Sequence, residues 1–420
     1  HPGYGFLAES PAFARACAEA GLTFVGPSPE AMELLADKPA ARRVAHDLGI
    51  PVIEGSARAL DEAGLLNAAA RIGYPVMLKA TMGGGGMGIR AANSRAELEA
   101  AIPLARREAQ TAFSDDGVYL ERLVEDARHI EVQLLGDGYG HVIHLGEREC
   151  SIQRRHQKLV EESPSRAIDD DLRQRISRAA VRVGQAVEYV GAGTIEFLID
   201  SEGDFYFLEA NPRLQVEHSV TEAVTGVDVV KEQLRIAAGR KLRYTQEDVR
   251  SRGWALECRI LAEDSTQGFI PTTGRITYLR EPGGPGIRVD SGICEGLAIT
   301  PHYDSLLAKL IVWGETRGVA IVRMRRALKE YRIGGVMTNL NLHRALLDSH
   351  SFFGGQFDTR FLEEQFLQPE AVSSEDRMAA ALTAALLDYR RRRGSEATGE
   401  RRVSRWKMLG RWELMEGWRG

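Results

Sequence analysis

Hydrophobic and polar positions along the chain alternate between a helical and a two-residue period, and their order sketches an α/β protein. The Gly/Pro-punctuated opening His1 to Glu9 leads into an Ala-rich helix over Ser10 to Ala20, then a short strand at Leu22 to Val25. Helices follow at Pro29 to Leu35 and from Asp37-Lys38-Pro39, where the proline falls in a first turn whose N–H groups lack intrahelical partners. From Val52 to Leu123 the pattern runs strand, helix, strand, helix, strand, a compact lid in which Tyr74 to Ala80 is a buried strand leading into glycines. Arg128 to Leu145 reads as two strands about a turn at Gly136 to Gly140, and Asp169 to Tyr189 as an amphipathic helix. Ile195 to Leu198 and Phe205 to Asn211 form a hairpin across Ser201 to Asp204, and a helix at Asp228 to Ala238 closes the region. Short strands with glycine turns between Gly253 and Ile333, and a helix at Arg317 to Glu330, indicate a mixed α+β domain. Ser374 to Arg393 reads as an Ala/Leu helix ending in arginines, and Gly394 to Arg402 as a polar linker.

The hairpin carries the first chemistry. With Glu202-Gly203 as its turn, Glu196 lies opposite Glu209, and Asn211 follows on the second strand. Like charges directly opposed in a sheet cost roughly 0.2 to 1 kcal/mol, and more among apolar neighbours such as Phe197 and Phe207. A divalent cation reverses that sign, and two carboxylates with an amide oxygen suit magnesium or manganese. The next stretch, Asn211 to His218, reads as an extended continuation with Arg213, Gln215 and Glu217 alternating toward one side. Arg213 could there hold a planar oxyanion bidentately while Glu217 removes a proton from it.

Upstream, Lys79 precedes Gly83, Gly84, Gly85 and Gly86, whose backbone N–H groups can wrap a phosphate. The spacing is not that of a P-loop, and no long helix follows as in a dinucleotide fold, so the segment reads as a flexible flap over phosphates. Lys79 and Lys38 supply point charges for the same anion. The strand end Tyr119 to Val124 offers backbone groups to an adenine edge, and the polar run Glu149 to Lys158 reads as a loop that turns His156 and Lys158 toward phosphate or ribose.

Composition narrows the setting. A chain of 420 residues holds two or three domains, and 27% charged with 44% hydrophobic residues is ordinary for a soluble protein. A net charge of -5 gives no reason to expect nucleic acid, and Arg390 to Arg393 reads as a solvated helix end. Cys17, Cys150, Cys258 and Cys294 lie far apart without a CxxC, which supports neither a zinc site nor a disulfide framework and fits a reducing cytoplasm. No apolar stretch approaches the ~18 to 20 residues of a membrane span.

HPGYGFLAE from His1, the glycine flap, RRHQK from Arg154, GAGTIEFL from Gly191, FLEANPRLQVEH from Phe207, KEQLRIAAG from Lys231, ECRILAED from Glu257 and PHYDSLLAKL from Pro301 occur in this order. Over His1 to about Phe366 the chain thereby strongly resembles the biotin carboxylase component of biotin-dependent carboxylases, members of the ATP-grasp superfamily. The resemblance implies an ATP-grasp fold with a glycine-rich lid, a remnant of an N-terminal α/β domain over 1–35, an ATP-grasp domain over 36–245 with its lid at about 52–125, a C-terminal α+β domain over 250–367, and a helix, linker and the start of a further domain over 368–420. It implies ATP, magnesium or manganese, and biotin borne on a carrier domain as cofactors. The partners it implies are bicarbonate, the carrier and a carboxyltransferase subunit, with a homo-oligomer in the intact protein.

The same resemblance implies roles residue by residue. Lys38, Lys79 and the flap would contact ATP phosphates, Glu121, Arg122 and Val124 the adenine, and His129, Gln153 and His156 the ribose and phosphates. Glu196, Glu209 and Asn211 would hold the metal. Arg213, Gln215 and Val216 would position bicarbonate, with Glu217 its base. Lys158 would steady carboxyphosphate and the leaving phosphate, and Arg259 the enolate of biotin. The implied reaction is phosphorylation of bicarbonate by ATP, collapse of carboxyphosphate to carbon dioxide, and capture by biotin, a chemistry governed by stabilising developing charge.

Some features depart from the family pattern. Met82 and Met87 stand where the flap usually carries a small residue and a cation, which predicts weaker ATP binding or a compensating lysine, and the hairpin turn is one residue longer than in some members. Most of the family's first domain lies before HPGYGF, so the piece present is expected to leave an unpaired sheet edge and an apolar face, and the chain poorly stable or aggregated. Arg405 to Trp412 resembles the start of the region that follows this module in acyl-CoA carboxylase α chains, and no AMKM biotin-attachment motif is present. The favoured reading is thus the first half-reaction of an acyl-CoA carboxylase. A pyruvate or urea carboxylase module and an inactive truncated scaffold remain alternatives. RRHQK with ECRILAED disfavours a carbamoyl phosphate synthase half or a peptide ligase.

Overall fold

The computed structural model describes residues 1–56, 59–81, 88–366, 378 and 381–386. The flap residues Met82, Gly83, Gly84, Gly85, Gly86 and Met87, and the linker and tryptophan-containing stretch after residue 386, lie outside these. The chain divides into a unit His1–Leu367 and a unit Gln368–Gly420, and the described residues of the second are helical.

Helices α1 (Pro11–Glu19), α2 (Pro29–Ala36) and α3 (Lys38–Asp47) open the first unit, each with proline in its first turn and a Ser or Asp side chain capping a backbone N–H. The strand expected at Leu22 to Val25 does not form. A strand needs a hydrogen-bonded neighbour, and among the described residues no strand pairs with this segment.

The lid packs α4 (Glu62–Ile72) and α5 (Arg95–Phe113) on an antiparallel sheet of order β2-β1-β3, with β1 Val76–Ala80, β2 Arg90–Ala92 and β3 Val118–Arg122. Its own core comprises Leu65, Val76, Leu78, Leu98, Ile102, Val118 and Leu120.

The main sheet is built from β4 (Arg128–Gly136), β5 (Val142–Arg154), β6 (Gln157–Ser163), β7 (Gly191–Ile199), β8 (Phe205–Asn211), β9 (Trp254–Leu261), β10 (Ile287–Ser291) and β11 (Leu306–Gly314). Their order is β10-β11-β9-β6-β5-β4-β7-β8, antiparallel throughout. One sheet therefore runs from the carboxylate hairpin at one edge to strands of the C-terminal region at the other, joined where β6 pairs with β9. Helix α6 (Asp170–Ala186) covers β4 and β5 through Ile176, Ala180 and Val183. Further on come α7 (His218–Thr225), α8 (Val229–Ala237), α9 (Arg317–Glu330) and α10 (Leu340–Asp348). Helices α9 and α10 share a core with Leu256, Cys258 and Leu310.

Two sequence expectations change here. Glu149 to Lys158 is not a loop: Glu149 to Arg154 ends β5, Gln157 starts β6, and only Arg155 and His156, both at positive φ, make the turn. Its polar side chains are internal partners, with Glu149, Ser151 and Gln153 buried, so the composition of a solvated loop belongs to a buried ladder. The hairpin turn also differs. Ile199 faces Phe205 and Phe197 faces Phe207, which would place Glu196 opposite Leu208, but a bulge beyond Phe207 shifts the register so that Glu196 does face Glu209 and Thr194 faces Asn211.

Candidate active site

Strand β4 supplies a buried polar row in which His129, Glu131 and Gln133 alternate with Ile130, Val132 and Leu134. Glu131 lies opposite Glu196 of β7 and Arg148 of β5, and Glu196 opposite Glu209 of β8, so four adjacent strands line up acids and an arginine. The ammonium of Lys158, near the start of β6, donates to Glu131, to Glu196 at 2.8 Å and to Glu217 at 2.7 Å. All three of its donors are thereby filled by carboxylates. Arg148, fully buried, donates to Glu131, to Gln133 at 2.7 Å, to Thr221 at 2.9 Å and to Thr194 at 3.1 Å.

Glu217 is wholly buried and links the two halves of the sheet: one oxygen takes Lys158, the other the Arg259 guanidinium of β9 at 3.1 Å. Arg259 also donates to Glu161 of β6 at 2.6 Å. Burial opposes ionisation of Glu217, but Lys158, Arg259 and Arg148 outweigh it and hold its pKa well below the usual carboxylate range. Lys158, despite burial, is pushed well above 10.5 by Glu131, Glu196 and Glu217. Burial alone would depress His129, yet Glu196, 2.7 Å from its Nε2, raises it above 6.5. Glu161 and Glu257 face each other across β6 and β9. Burial lifts Glu161 to about 7 in spite of Arg259, and lifts Glu257 to about 8 in spite of Lys309.

The segment after the hairpin is not the strand expected. Strand β8 ends at Asn211, Pro212 removes a ladder donor, Arg213 turns back to the Asn211 carbonyl at 2.9 Å, and Glu217 is the N-terminal flank of α7. Alternation therefore does not gather Arg213, Gln215 and Glu217. Arg213 pairs with Glu9 at 3.2 Å, Gln215 is buried with its amide nitrogen unpartnered, and the Val216 carbonyl accepts from Lys309 at 2.6 Å.

The remaining predicted residues fall around this core. Lys38 meets Glu209 at 3.0 Å, and Asn211 donates to Glu196 at 2.8 Å. Lys79 donates to Glu121 at 2.5 Å, and Arg42 approaches the same carboxylate at 3.3 Å. The backbone N–H of Arg122 donates to Glu54 and that of Leu123 to Pro75, so these two amides are committed within the protein. Val124 packs with Ile53 and Ala127 in a small apolar cluster that Leu198, Tyr206 and Leu208 flank. Gln153 is buried opposite Lys158, whereas His156 is exposed at the turn. Glu131, Arg148, Glu161 and Arg42 were not singled out from the sequence. The alternation His129, Glu131, Gln133 against an apolar face was the readable signal for the first.

The donor set fits a hard divalent cation. Glu196 and Glu209 face each other on one side of the ladder, Asn211 stands two residues on, and every ligating atom is oxygen. His129, Glu131 and Glu196 also bring ligand atoms within 4.8 Å of one another.

A two-helix, three-strand lid beside an antiparallel sheet that carries opposed carboxylates and convergent lysines defines an ATP-grasp enzyme, an ATP-dependent ligase. Residues 37–245 match the family described as carbamoyl-phosphate synthase L chain, ATP binding domain; 257–364 match the biotin carboxylase C-terminal domain and 1–32 the biotin carboxylase N-terminal domain. The chain belongs to the biotin carboxylase family, whose reaction uses ATP, magnesium and biotin. It is 51% identical to the biotin carboxylase of Nostoc sp. over 365 residues, 87% of this chain and 82% of that protein. It is 49% identical to a pyruvate carboxylase subunit of Methanothermobacter thermautotrophicus, covering 87% of this chain and 74% of that one. The biotin carboxylase domain of Hydrogenobacter thermophilus 2-oxoglutarate carboxylase, solved as a dimer with MgADP, ADP and bicarbonate, superposes with a TM-score of 0.85 at 49% identity, covering 87% of this chain and 81% of that one.

Proposed function

We propose that this biotin carboxylase catalyses the first half-reaction of an acyl-CoA carboxylase, with 1–35, 36–245 and 250–367 as its working domains. The observation that carries the site assignment is the position of Glu217, held between Lys158 of the nucleotide half and Arg259 of the C-terminal half. Bicarbonate meets ATP on one side of that carboxylate and the biotin ring on the other.

Glu196, Glu209 and Asn211 would hold magnesium, which when bound would neutralise phosphate charge. Lys38 and Lys79, now on Glu209 and Glu121, serve the ATP phosphates together with the sequence Gly83 to Gly86, which lies outside the described residues, with His129, Gln153 and His156 beside ribose and phosphates, and Glu121, Arg122 and Val124 at the adenine. Arg213 and the orphaned amide of Gln215, with Val216, receive bicarbonate. Glu217 takes the bicarbonate proton as its oxygen attacks the γ-phosphorus, the bond to ADP breaks, and carboxyphosphate forms. Lys158 moves from the carboxylates to the phosphoryl oxygens. That transfer relieves Glu217 of its closest cation and raises its basicity toward the working range. Collapse of carboxyphosphate gives carbon dioxide and phosphate, the phosphate takes the proton from the biotin ring nitrogen, and Arg259 faces the negative charge that this leaves on the ring oxygen until the nitrogen bonds carbon dioxide.

Support for the acyl-CoA class is the sequence Arg405 to Trp412, which lies outside the described residues, while pyruvate and 2-oxoglutarate carboxylases among the relatives keep those acceptors as the second reading. A carrier domain, a carboxyltransferase and a second copy of the chain are the partners this reading requires. Among the described residues no helix is long and apolar enough to cross a membrane, and all four cysteines are free, in keeping with a cytoplasmic enzyme. ATP cleavage dependent on bicarbonate and free biotin should fall at least about a hundredfold in Glu217→Gln and Arg259→Ala. Retention of full turnover in both variants would refute the assigned roles, and carboxylation of pyruvate rather than an acyl-CoA by the assembled enzyme would refute the class.

A further inference from the structure

Arg259 pairs with Lys309 of β11 on one side but stands just past the end of its strand's pairing on the other. Strand β6 pairs with β9 only as far as Val160 opposite Cys258, and on the other side the ladder with β11 is irregular between Leu306 and Ala308, opposite Leu261 and Ile260. A backbone at such a point is held loosely unless something else takes its polar groups.

Two buried side chains do so. The Asn339 side chain donates from Nδ2 to the Arg259 carbonyl at 2.9 Å and accepts the Leu261 N–H on Oδ1 at 2.9 Å, while its own N–H donates to the Leu261 carbonyl at 3.2 Å. This is the bonding a neighbouring strand would provide. Asparagine flanking a helix normally caps that helix with its side chain, but the Asn339 side chain, just before α10, caps none of its N–H groups and is committed to β9 instead. One turn later, His343 donates from Nε2 to the same Arg259 carbonyl at 2.8 Å, and its Nδ1 is buried without a partner. Both residues are fully inaccessible to solvent. Burial depresses the His343 pKa to about 4, so the ring stays neutral with its one proton on Nε2.

We infer that Asn339 and His343 are positioning residues for the biotin-carboxylation step, clamping the backbone of Arg259 so that its guanidinium keeps one reach between Glu161, Glu217 and the acceptor. This rests on the role assigned to Arg259 above. Asn339 and His343 bond only the β9 backbone and reach Glu217 solely through Arg259, so the biotin-driven reaction should respond more strongly than the bicarbonate-driven one. Misplacement by about 1 Å can cost about a hundredfold in rate.

The test uses the full chain with Asn339→Asp, which keeps the shape and the acceptor but removes the donor to Arg259, and with His343→Leu, His343→Gln and Arg259→Ala. Two rates are read: ATP cleavage driven by bicarbonate alone, and the additional cleavage driven by free biotin, with kcat and KM for biotin separated. Asn339→Asp and His343→Leu should lower biotin-dependent kcat at least about tenfold and leave bicarbonate-dependent cleavage within about twofold, and His343→Gln, which restores an N–H donor, should recover most of the loss. Both rates falling in proportion, or recovery equal in His343→Leu and His343→Gln, would mark the pair as merely structural. Loss in Arg259→Ala with none in the clamp variants overturns the clamp alone, whereas biotin-dependent turnover surviving in Arg259→Ala overturns the Arg259 assignment on which it rests.

Discussion

Glu257→Gln should make the enzyme more stable at alkaline pH, and by an amount that the sheet itself defines. Glu257 is fully buried on β9, neither of its oxygens has a hydrogen-bond partner, and it faces Glu161 across the ladder. Burial and that second carboxyl, opposed by Lys309 and Arg259 and reinforced by Glu217, place its pKa at about 8 against an ordinary 4.5. A carboxyl whose folded-state pKa is raised binds more protons in the folded than in the unfolded chain at every pH between the two values. Its stability contribution is therefore complete below about 4.5 and is lost progressively as pH rises to about 8. At about 1.36 kcal/mol per pKa step the full loss is roughly 5 kcal/mol, of which roughly 3 is already gone at neutrality. Glutamine has the same shape and never ionises, and its amide faces a Glu161 oxygen that lacks a partner. Thermal midpoints of the ligand-free proteins would be compared between about pH 5 and about pH 8.5. Wild type should lose roughly 4 kcal/mol relative to the variant over that interval, a divergence of several degrees at about 2 °C per kcal/mol. Parallel profiles would show that Glu257 is ionised in the folded protein, and the account of a protonated carboxyl in this sheet would fail.

Lys158→Met strips the shared cation from three carboxylates; unfolding should become easier by about 3 to 5 kcal/mol in chemical denaturation, and bicarbonate-dependent ATP cleavage should fall at least about a hundredfold. Glu196→Gln should weaken Mn2+ binding, read by paramagnetic titration without nucleotide turnover, by about tenfold or more, and unchanged affinity would remove Glu196 from the metal site. Glu131→Gln leaves fully buried Arg148 with one neutral oxygen in place of a carboxylate, which predicts about 1 to 3 kcal/mol of destabilisation and a lower pKa for Lys158, seen as loss of activity setting in at lower pH on the alkaline limb.

Much of this architecture was legible from local pattern. The helix Arg317–Glu330 and the strands around Gly136 to Gly140 follow from periodicity and turn residues, and Glu196 opposite Glu209 from a hairpin count, although the pairing survives only because a bulge corrects the turn. What stayed hidden depends on neighbours distant in sequence. Glu149 to Lys158 has the composition of a solvated loop, and only the partners Arg128, Glu131 and Glu196 turn it into buried strand. Arg213, Gln215 and Glu217 have the spacing of a strand face, but Pro212 breaks the ladder and each side chain goes its own way. Glu161 beside Arg259 requires β6 and β9 to pair across almost a hundred intervening residues, which no local pattern announces.

The bulge beyond Phe207 separates two registers within one hairpin: the turn half, where Phe197 meets Phe207, and the metal half, where Glu196 meets Glu209. The tip around Glu202 and Gly203 is thereby insulated from the carboxylates. Loops of different length can be grafted there without rotating either acid out of line, so this tip is the natural place to splice in a fluorophore or an affinity handle on a working enzyme. Deleting Leu208, the extra residue of the bulge, would merge the two registers into one regular ladder, in which Glu209 directly follows Phe207 and still faces Glu196.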